Sequence, residues 1–303
     1  MDLQQTAQLL ANGIAVGSII ALAAVGLTLT YGILRLSNFA HGDFMTLGAY
    51  LTWLANTSGV NIWLALILGA IGTVGAMVLS EKLLWSPMRD RRATSTTLII
   101  ISIGLALFLR NGIIFIWGGG NQSYDLPVAS AIDIFGVKVA FYRIVVVILA
   151  VLAIVGLHLL LQNTKIGKAM RAVADNVDLA RVTGINVDRV VIWTWVIAGT
   201  LTALGGGMYG LITAVRPNMG WFLILPMFAS VILGGIGNPY GAIAGAFIIG
   251  IAQELLPYLS TALAESLNLP WLAIGNEYKL AVALLIMVLV LLVRPQGLFK
   301  GTL

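Results

Sequence analysis

The sequence predicts an all-α, multi-pass inner-membrane protein, a helical bundle of about eight to nine transmembrane segments. Hydrophobic residues make up 59% of the 303-residue chain, charged residues only 10%, and the mean hydropathy is +0.99. Because an ordinary soluble domain has roughly 25% charged residues, this composition excludes a soluble enzyme. The 34 glycines fit the same class, since small residues let membrane helices approach each other closely.

Nine stretches approach the roughly 20 apolar residues that a spanning helix needs. They lie at Leu9 to Leu34, Phe39 to Ala55, Ile62 to Leu84, Thr97 to Trp117, Val139 to Leu161, Val190 to Ala214, Trp221 to Ile236, Ala242 to Leu259 and Tyr278 to Val293. The stretches at Trp221 and Ala242 are short and are separated by a glycine-rich sequence. Two interpretations of residues 221–259 therefore stay open, two spans or one span with a re-entrant segment.

Basic residues accumulate in the loops on one side of these stretches, and this bias sets the orientation. With nine crossings, one side receives Arg35, Lys82, Arg89, Arg91, Arg92, the five basic residues of 162–189, Arg294 and Lys300. We therefore expect the N-terminus outside and the C-terminus in the cytoplasm. Residues 1–303 form a single transmembrane domain in this interpretation, and membrane lipid surrounds it. No nucleic-acid partner is expected.

The segment of residues 162–189, QNTKIGKAMRAVADNVDLARVTGINVDR, is too densely charged for a bilayer core. Local signals divide it into two short helices. Thr164 or Asn163 can cap the first helix, and the Asp175-Asn176 pair ends it. Asp178 can start a second helix of about two turns, and Gly184 can stop it.

The second of these helices carries a small apolar face. Leu179 and Val182 are three residues apart and share that face, with Ile185 just beyond the glycine. Two interpretations are open. The face can dock onto another protein, or it can pack on the ends of the spans or lie among the lipid headgroups.

Two further segments are candidates for the translocation pathway or its gate. In the first, Asn38 to Asp43, Asn38 can cap the second span with Asp43 in its first turn, or His41 and Asp43 can form a gate. Asp43 can pair with His41 or with Arg35. The gate candidates are Asn38, His41, Gly42, Asp43, Gly237 and Asn238.

The second segment, around Gly237 and Asn238, also has two interpretations. The spacing of Gly241 and Gly245 is typical of close helix packing, whereas the Gly-Asn-Pro-Tyr-Gly break can expose backbone groups to the pathway. Arg110 and Glu254 lie inside apolar stretches, where they can pair within the bundle, face an aqueous cavity, or lie nearer the membrane interface than the stretch boundaries indicate.

Outside the membrane, the alternating AIDIFGVKV in residues 123–138 predicts a short β-hairpin. It can contact a substrate-binding protein or cover the helix ends. The chain has no cysteine, and His41 and His158 lack acidic neighbours at metal-ligand spacing, so we expect no metal site and no cofactor.

Several motifs resemble one protein family. The sequence KIGKAMRAVADNVDLARVTGINVDR is similar to the cytoplasmic coupling segment of permease subunits of bacterial ABC importers for branched-chain and other neutral amino acids. LSNFAHGDFMTLGAY at Leu36 to Tyr50 resembles the family's N-[FL]-A-H-G-[DE] signature. LLVRPQGLFKG at Leu291 to Gly301 resembles its closing R-P-x-G-L-F-G, with Lys300 inserted, and Phe228 to Gly250 resembles its late glycine-rich segment.

The resemblance implies a permease that supplies half of a transmembrane pathway in the cytoplasmic membrane. Its partners would be a second related permease, two cytoplasmic ATP-binding subunits and a periplasmic or surface amino-acid-binding protein. The chain is then not itself an enzyme. It contains no G-x-x-x-x-G-K-[ST] phosphate loop, since Gly167-Lys168 lacks the earlier glycine and is followed by Ala169.

In this interpretation residues 162–189, which we call the coupling segment, transmit motion from the ATP-binding subunits. We predict that Leu179 and Val182 sit in a cleft of the ATPase and that Asp178 and Arg181 make contacts at its rim. The residues assigned to coupling are Arg171, Asp178, Leu179, Arg181, Val182 and Gly184. The alternatives are a urea or short-amide permease of the same family, an ion-coupled secondary amino acid transporter, and a structural or channel-like membrane protein.

Overall fold

A computed structural model describes residues 3–127, 130–134 and 136–299, and the described residues are mostly helical. The helices are α1 (Leu3–Leu34), α2 (His41–Thr57), α3 (Ile62–Ser80), α4 (Ser86–Asp90), α5 (Ser95–Trp117), α6 (Phe141–Asn163), α7 (Lys165–Asp175), α8 (Val177–Val182), α9 (Val187–Ile212), α10 (Met219–Gly234), α11 (Pro239–Leu267) and α12 (Lys279–Val293). A π-helical turn (Glu81–Trp85) joins α3 to α4, and 3₁₀ turns (Pro270–Leu272 and Asn276–Tyr278) precede α12.

The predicted helical membrane bundle is confirmed. Seven helices of the described residues are long and apolar enough to cross a membrane, namely α1, α3 with its continuation to Asp90, α5, α6, α9, α11 and α12 with the turn before it. The other two predicted stretches are also helices, but α2 has 17 residues and α10 has 16. The stretch predicted at Ala242 is part of a single 29-residue helix, α11.

Helix α1 lies at the centre of the bundle. Every residue from Gly17 to Thr30 is buried, and the helix packs against α6, α9, α10 and α11. By contrast, α5 and α12 expose large apolar side chains such as Phe115 and Leu292, which are 91% and 76% accessible. Such exposure is unfavourable in water but suits helices that face lipid tails.

The chain changes direction between α10 and α11 at Gly235 and Gly237, whose φ angles are +104° and +88°. Only glycine adopts such angles without strain. The two helices then pack closely, because a side chain at Gly241 or Gly245 would overlap the backbone of Gly234 or Ser230. This geometry supports the packing interpretation of the Gly241-x-x-x-Gly245 spacing.

The predicted β-hairpin is confirmed. Strands β1 (Ala131–Ile134) and β2 (Val137–Ala140) are antiparallel, and Asp133 is paired with Lys138 across them. The Gly136 N–H donates to the Asp133 carboxylate at 2.8 Å, which closes the turn. Val128, Ala129 and Phe135 of this predicted region, and Lys300 and Gly301 of the predicted closing motif, lie outside the described residues.

The loop before the hairpin inserts one tyrosine into the bundle. The Tyr124 ring packs against Gly210 of α9, and its hydroxyl donates to the Ala49 carbonyl of α2 at 3.4 Å. Burial raises the pKa of this hydroxyl above its usual range. The Asp125 N–H donates to the Asn56 side chain at 2.7 Å, so the loop is attached to the end of α2.

Candidate functional site

The coupling segment forms the two predicted helices, α7 and α8. Thr164 caps α7 as expected, because its hydroxyl accepts from the Gly167 N–H at 3.0 Å. The buried side of α7 includes Met170 and Val173, which are 2% and 1% accessible and face the bundle. Arg171 lies on the exposed side and donates to the Gln162 amide oxygen at 2.6 Å. Helix α7 therefore anchors the segment to the spans.

Helix α8 begins at Val177, one residue before the predicted start at Asp178. Its N-cap is Asn176, whose side chain accepts from the Leu179 N–H at 2.9 Å, while Asp178 lies within the first turn. Asparagine and aspartate both cap helices. Asn176 is the cap because it directly precedes the first helical residue, Val177. Asp178 lies in the first turn, with its carboxylate near the positive end of the helix as predicted, and the cap itself is Asn176.

Gly184 ends α8 in the predicted way. Its φ angle is +86°, the Gly184 N–H donates to the Arg181 carbonyl, and the Ile185 N–H donates to the Ala180 carbonyl, both at 3.0 Å. This pair of bonds defines a Schellman motif, in which a left-handed residue follows the helix. The motif fixes the exit of the chain toward α9.

The face that carries Leu179 and Val182 does not pack on the bundle. Their accessible fractions are 59% and 85%, whereas Ala180 on the other side of α8 is only 3% accessible. Asp178 and Arg181 are exposed beside them. This excludes packing of the face on the spans of the same chain, whereas docking onto another protein and contact with lipid headgroups both stay open.

The Asn38 to Asp43 segment is buried between helices. Asn38 does not cap α2. Its side chain instead accepts from the Ala40 N–H at 3.1 Å in the turn before the helix, and α2 has Ala40 at the cap position without a side-chain bond. His41 Nε2 lies 2.9 Å from both the Ala23 carbonyl of α1 and the Thr202 hydroxyl of α9. Because this hydroxyl donates to the Ala198 carbonyl, both contacts call for a proton on Nε2, and Nδ1 has no hydrogen-bond partner among the described residues.

Asp43 pairs with a residue other than the two predicted. Its carboxylate accepts from Arg110 Nε at 3.1 Å and from Arg110 Nη2 at 3.2 Å, so neither His41 nor Arg35 is its partner in this ion pair. The Arg110 guanidinium also lies 4.7 Å from the centre of the Trp221 ring. This pair connects α2, α5 and α10. Arg110 is therefore paired within the bundle, as one interpretation of the sequence predicted.

Gly42 lies where α2 crosses α10. A side chain at Gly42 would overlap the Gly220 carbonyl, and a side chain at Gly220 would overlap the Gly42 carbonyl. The Gly220 N–H donates to the Thr46 hydroxyl at 3.0 Å across the same contact. The segment around His41 and Asp43 therefore lies where five helices meet, and we call this contact region a joint. The helices are α1, α2, α5, α9 and α10.

The other candidate gate segment forms a second joint. The Gly237 N–H donates to the Thr28 hydroxyl of α1 at 2.9 Å, and the Asn238 carboxamide oxygen caps α11 by accepting from Tyr240 and Gly241. The Asn238 amide donates to the Phe299 carbonyl at 3.1 Å. The closing R-P-Q-G-L-F motif thus packs directly on the late glycine-rich segment.

Comparison with known proteins identifies the family. The family model described as "Branched-chain amino acid transport system / permease component" matches residues 9–291. The chain belongs to this permease family.

Relatives of known function include importers of two kinds of substrate. The high-affinity branched-chain amino acid transport system permease protein LivH of Escherichia coli K12 is 32% identical over 95% of this chain and 93% of that protein. A probable branched-chain amino acid transport permease protein LivH of Methanocaldococcus jannaschii is 31% identical over 96% and 91%. The ribose import permease protein RbsC of Bacillus subtilis is 29% identical over 94% and 83%.

Family membership decides the function class. The chain is a permease component and a multi-pass protein of the cytoplasmic membrane. Of the classes that the sequence left open, this one is supported over the secondary transporter and the structural protein.

The permease contains a buried cluster that sequence reasoning missed. The Glu81 carboxylate, 4% accessible, accepts from Trp195 Nε1 of α9 at 2.7 Å and forms an ion pair with Arg89. Trp85 stacks on Trp195 with ring centres 6.5 Å apart. Glu81 begins the π-helical turn, and such turns recur at functional sites. The signal was a carboxylate at the end of an apolar stretch, directly before several arginines.

Proposed function

We propose that this permease is the membrane subunit of an ATP-driven importer that carries branched-chain or other neutral amino acids into the cytoplasm. The observation that supports this proposal most directly is the match to amino acid permeases such as LivH over nearly the whole chain. ATP is hydrolysed on a partner chain, because the sequence has no phosphate-binding loop of its own. The partners are two ATP-binding subunits, a second related permease and an amino-acid-binding protein.

Orientation follows from the charge bias and the path of the chain. We place the coupling segment, residues 162–189, in the cytoplasm, with the N-terminus outside and the C-terminus inside. The single transmembrane domain then has nine crossings, in which α2, α10 and α12 have 17, 16 and 15 residues. The hairpin of β1 and β2 lies on the outer side, where the binding protein delivers its substrate.

Coupling to the ATP-binding subunits occurs through α8. Its exposed Leu179 and Val182 are the apolar residues that a cleft on a partner can bury, and Asp178 and Arg181 are placed to make polar contacts around them. Arg171 adds a basic contact from α7, and Gly184 sets the orientation of α8. The anchoring of α7 on the bundle supports this role, because it lets displacement of α8 reach the spans.

The gate candidates act through helix movement. Asn38, His41, Gly42 and Asp43 are all buried in one joint, and Gly237 and Asn238 form the other. Such buried contacts favour a role in how α2, α10 and α11 shift during transport over direct contact with the substrate.

Uptake in a strain deleted for the native permease gene tests this function. Labelled leucine is supplied with an excess of unlabelled leucine, proline, alanine, urea or ribose, in cells that also express the partner subunits. We expect neutral amino acids alone to compete, and we expect ATP depletion to abolish uptake while a protonophore at preserved ATP does not. An Arg181→Glu permease that assembles normally should lose uptake.

Other outcomes would contradict the proposal in different ways. Competition by urea would favour the short-amide alternative, and competition by ribose would favour a sugar substrate. Uptake that collapses with the proton gradient at constant ATP would show an ion-coupled transporter.

A further inference from the structure

A cavity of about 510 Å³ opens between the helix ends opposite the coupling segment. Helix α6 ends directly before the coupling segment and α9 begins directly after it, so the start of α6 and the end of α9 lie at the far face. Arg143 lies at that end of α6, and Tyr209 and Ile212 lie at that end of α9, all in the cavity wall. The size is within the range of roughly 300–1,000 Å³ that is typical of small-molecule sites.

One side of the cavity carries charges of both signs. Arg143 donates to the Asn12 side chain of α1, and Lys279 Nζ donates to Glu254 Oε1 at 2.7 Å. Gln253 lies beside them and donates to the Lys279 carbonyl at 3.1 Å. Glu254 is thus paired, as one interpretation of the sequence predicted, and it also lines this cavity. Two cationic side chains and one anionic side chain leave one positive charge in excess.

These groups retain capacity for a ligand. An arginine guanidinium has five N–H donors in a planar fork, and Asn12 takes only part of that capacity. The fork matches a carboxylate in a bidentate arrangement. The second oxygen of Glu254 can accept from an ammonium group while the first holds Lys279.

The opposite side of the cavity is apolar. It is formed by Phe222, Leu223 and Pro226 of α10, together with Val16 of α1. Phe222 is 59% accessible, so its ring borders the opening. A ligand that fills this cavity needs a charged head with both signs and a compact hydrocarbon tail.

We infer that this cavity binds the zwitterion of an aliphatic α-amino acid on the outer side of the permease. Arg143 binds the carboxylate, Glu254 beside Lys279 binds the ammonium group, and Phe222, Leu223 and Pro226 contact the side chain. A neutral sugar would leave the Arg143 charge partly desolvated without a counter-ion, which is unfavourable. The inference rests on the proposed function and adds to it a substrate site within the membrane subunit.

Ligand binding to the assembled transporter in nanodiscs tests the site, measured by saturation-transfer difference NMR without the binding protein. The probes are leucine, isocaproate, which lacks the ammonium group, isoamylamine, which lacks the carboxylate, and ribose. We expect leucine to bind more tightly than the other three. Arg143→Gln should weaken leucine binding by roughly tenfold or more, because a charge-assisted bond is lost.

Arg91→Gln is the matched control, since Arg91 is exposed in the turn after α4, far along the chain from the cavity. Basal ATP hydrolysis of each variant reports whether the complex has assembled. Equal leucine affinity in Arg143→Gln and Arg91→Gln would overturn the inference, as would tighter binding of ribose than of leucine.

Phe222→Ala supplies a second test that does not remove a buried group. We expect the preference for leucine over alanine to fall about threefold or more, because the larger side chain loses its apolar contact. An unchanged preference would contradict the assigned orientation of the ligand. Absence of ATP-driven uptake by the wild type would contradict the proposed function, whereas normal uptake with leucine binding indifferent to Arg143 would contradict this site alone.

Discussion

The ion pair of Asp43 and Arg110 illustrates how single residues stabilise this bundle. The side chains are 1% and 13% accessible, and both oxygens of the carboxylate accept from the guanidinium. In a membrane interior water is scarce, so each charge depends on its partner. Stacking of Arg110 on Trp221 adds a cation–π contact, which is worth more when it is desolvated.

Replacing Asp43 should therefore destabilise the permease. Asp43→Asn leaves Arg110 charged and without its counter-ion, and breaking a buried pair costs on the order of 3 kcal/mol. Thermal unfolding of the detergent-solubilised complex measures the effect. The double variant Asp43→Asn with Arg110→Gln should recover much of the loss, because no charge is then left unpaired. Equal stability of the single and double variants would contradict the pairing.

Asp43 and Arg110 could be singled out from the sequence, but it did not predict that they pair with each other. Asp43 and Arg110 each stood out as a charge near an apolar stretch, yet they are 67 residues apart in the chain. Which helices meet is decided by tertiary packing, which periodicity does not report. For the same reason, the sequence did not predict the contact of Glu81 with Trp195, 114 residues away, or that of His41 with Thr202.

At the scale of elements, local signals were sufficient. The cap at Thr164, the break after Asp175 and the stop at Gly184 were all predicted, because each depends on neighbours within one turn. Asp178 lies in the first turn of α8 as predicted, whereas the cap is Asn176, which the sequence predicted only as part of the break between the two helices.

Gly184 offers a test of the α8 geometry. Nothing lies within 4 Å of an added Cβ, so the only restriction is the φ angle of +86°. Gly184→Asn should be nearly silent in uptake, because asparagine tolerates the left-handed conformation. Gly184→Val should destabilise the turn by roughly 1–2 kcal/mol and reduce uptake. Comparable uptake by the two variants would show that the Schellman turn does not position α8.

The crossing of α2 and α10 should be the least tolerant contact between helices. Gly220→Ala places a methyl group on the Gly42 carbonyl, and overpacking of this kind costs roughly 1–3 kcal/mol. Gly112→Ala in α5 is the matched control, since no atom lies within 4 Å of the added Cβ. Thermal unfolding of both variants should show a loss only for Gly220→Ala. Because alanine has the higher helix propensity, propensity alone would stabilise both variants. A similar loss for both would therefore contradict the close packing assigned to Gly220.

At the scale of the whole molecule, the permease presents two different faces. One carries the coupling segment with its exposed Leu179 and Val182, and the other carries the hairpin and the charged cavity. The central position of α1, between α9 and α11, connects them. Composition and hydropathy predicted the membrane bundle. They did not predict that later helices enclose α1, because this depends on which glycines contact which helices, and hydropathy does not report that.

Site-directed photo-crosslinking tests the central claim, that α8 contacts an ATP-binding subunit. The chain has no cysteine, so Val182→Cys introduces one thiol into this subunit for a maleimide-benzophenone label. Asp133→Cys on the hairpin is the control at the opposite face. In the assembled transporter we expect an adduct with the ATP-binding subunit from position 182 and none from position 133. Lack of an adduct from position 182, or equal adducts from both positions, would contradict the coupling role.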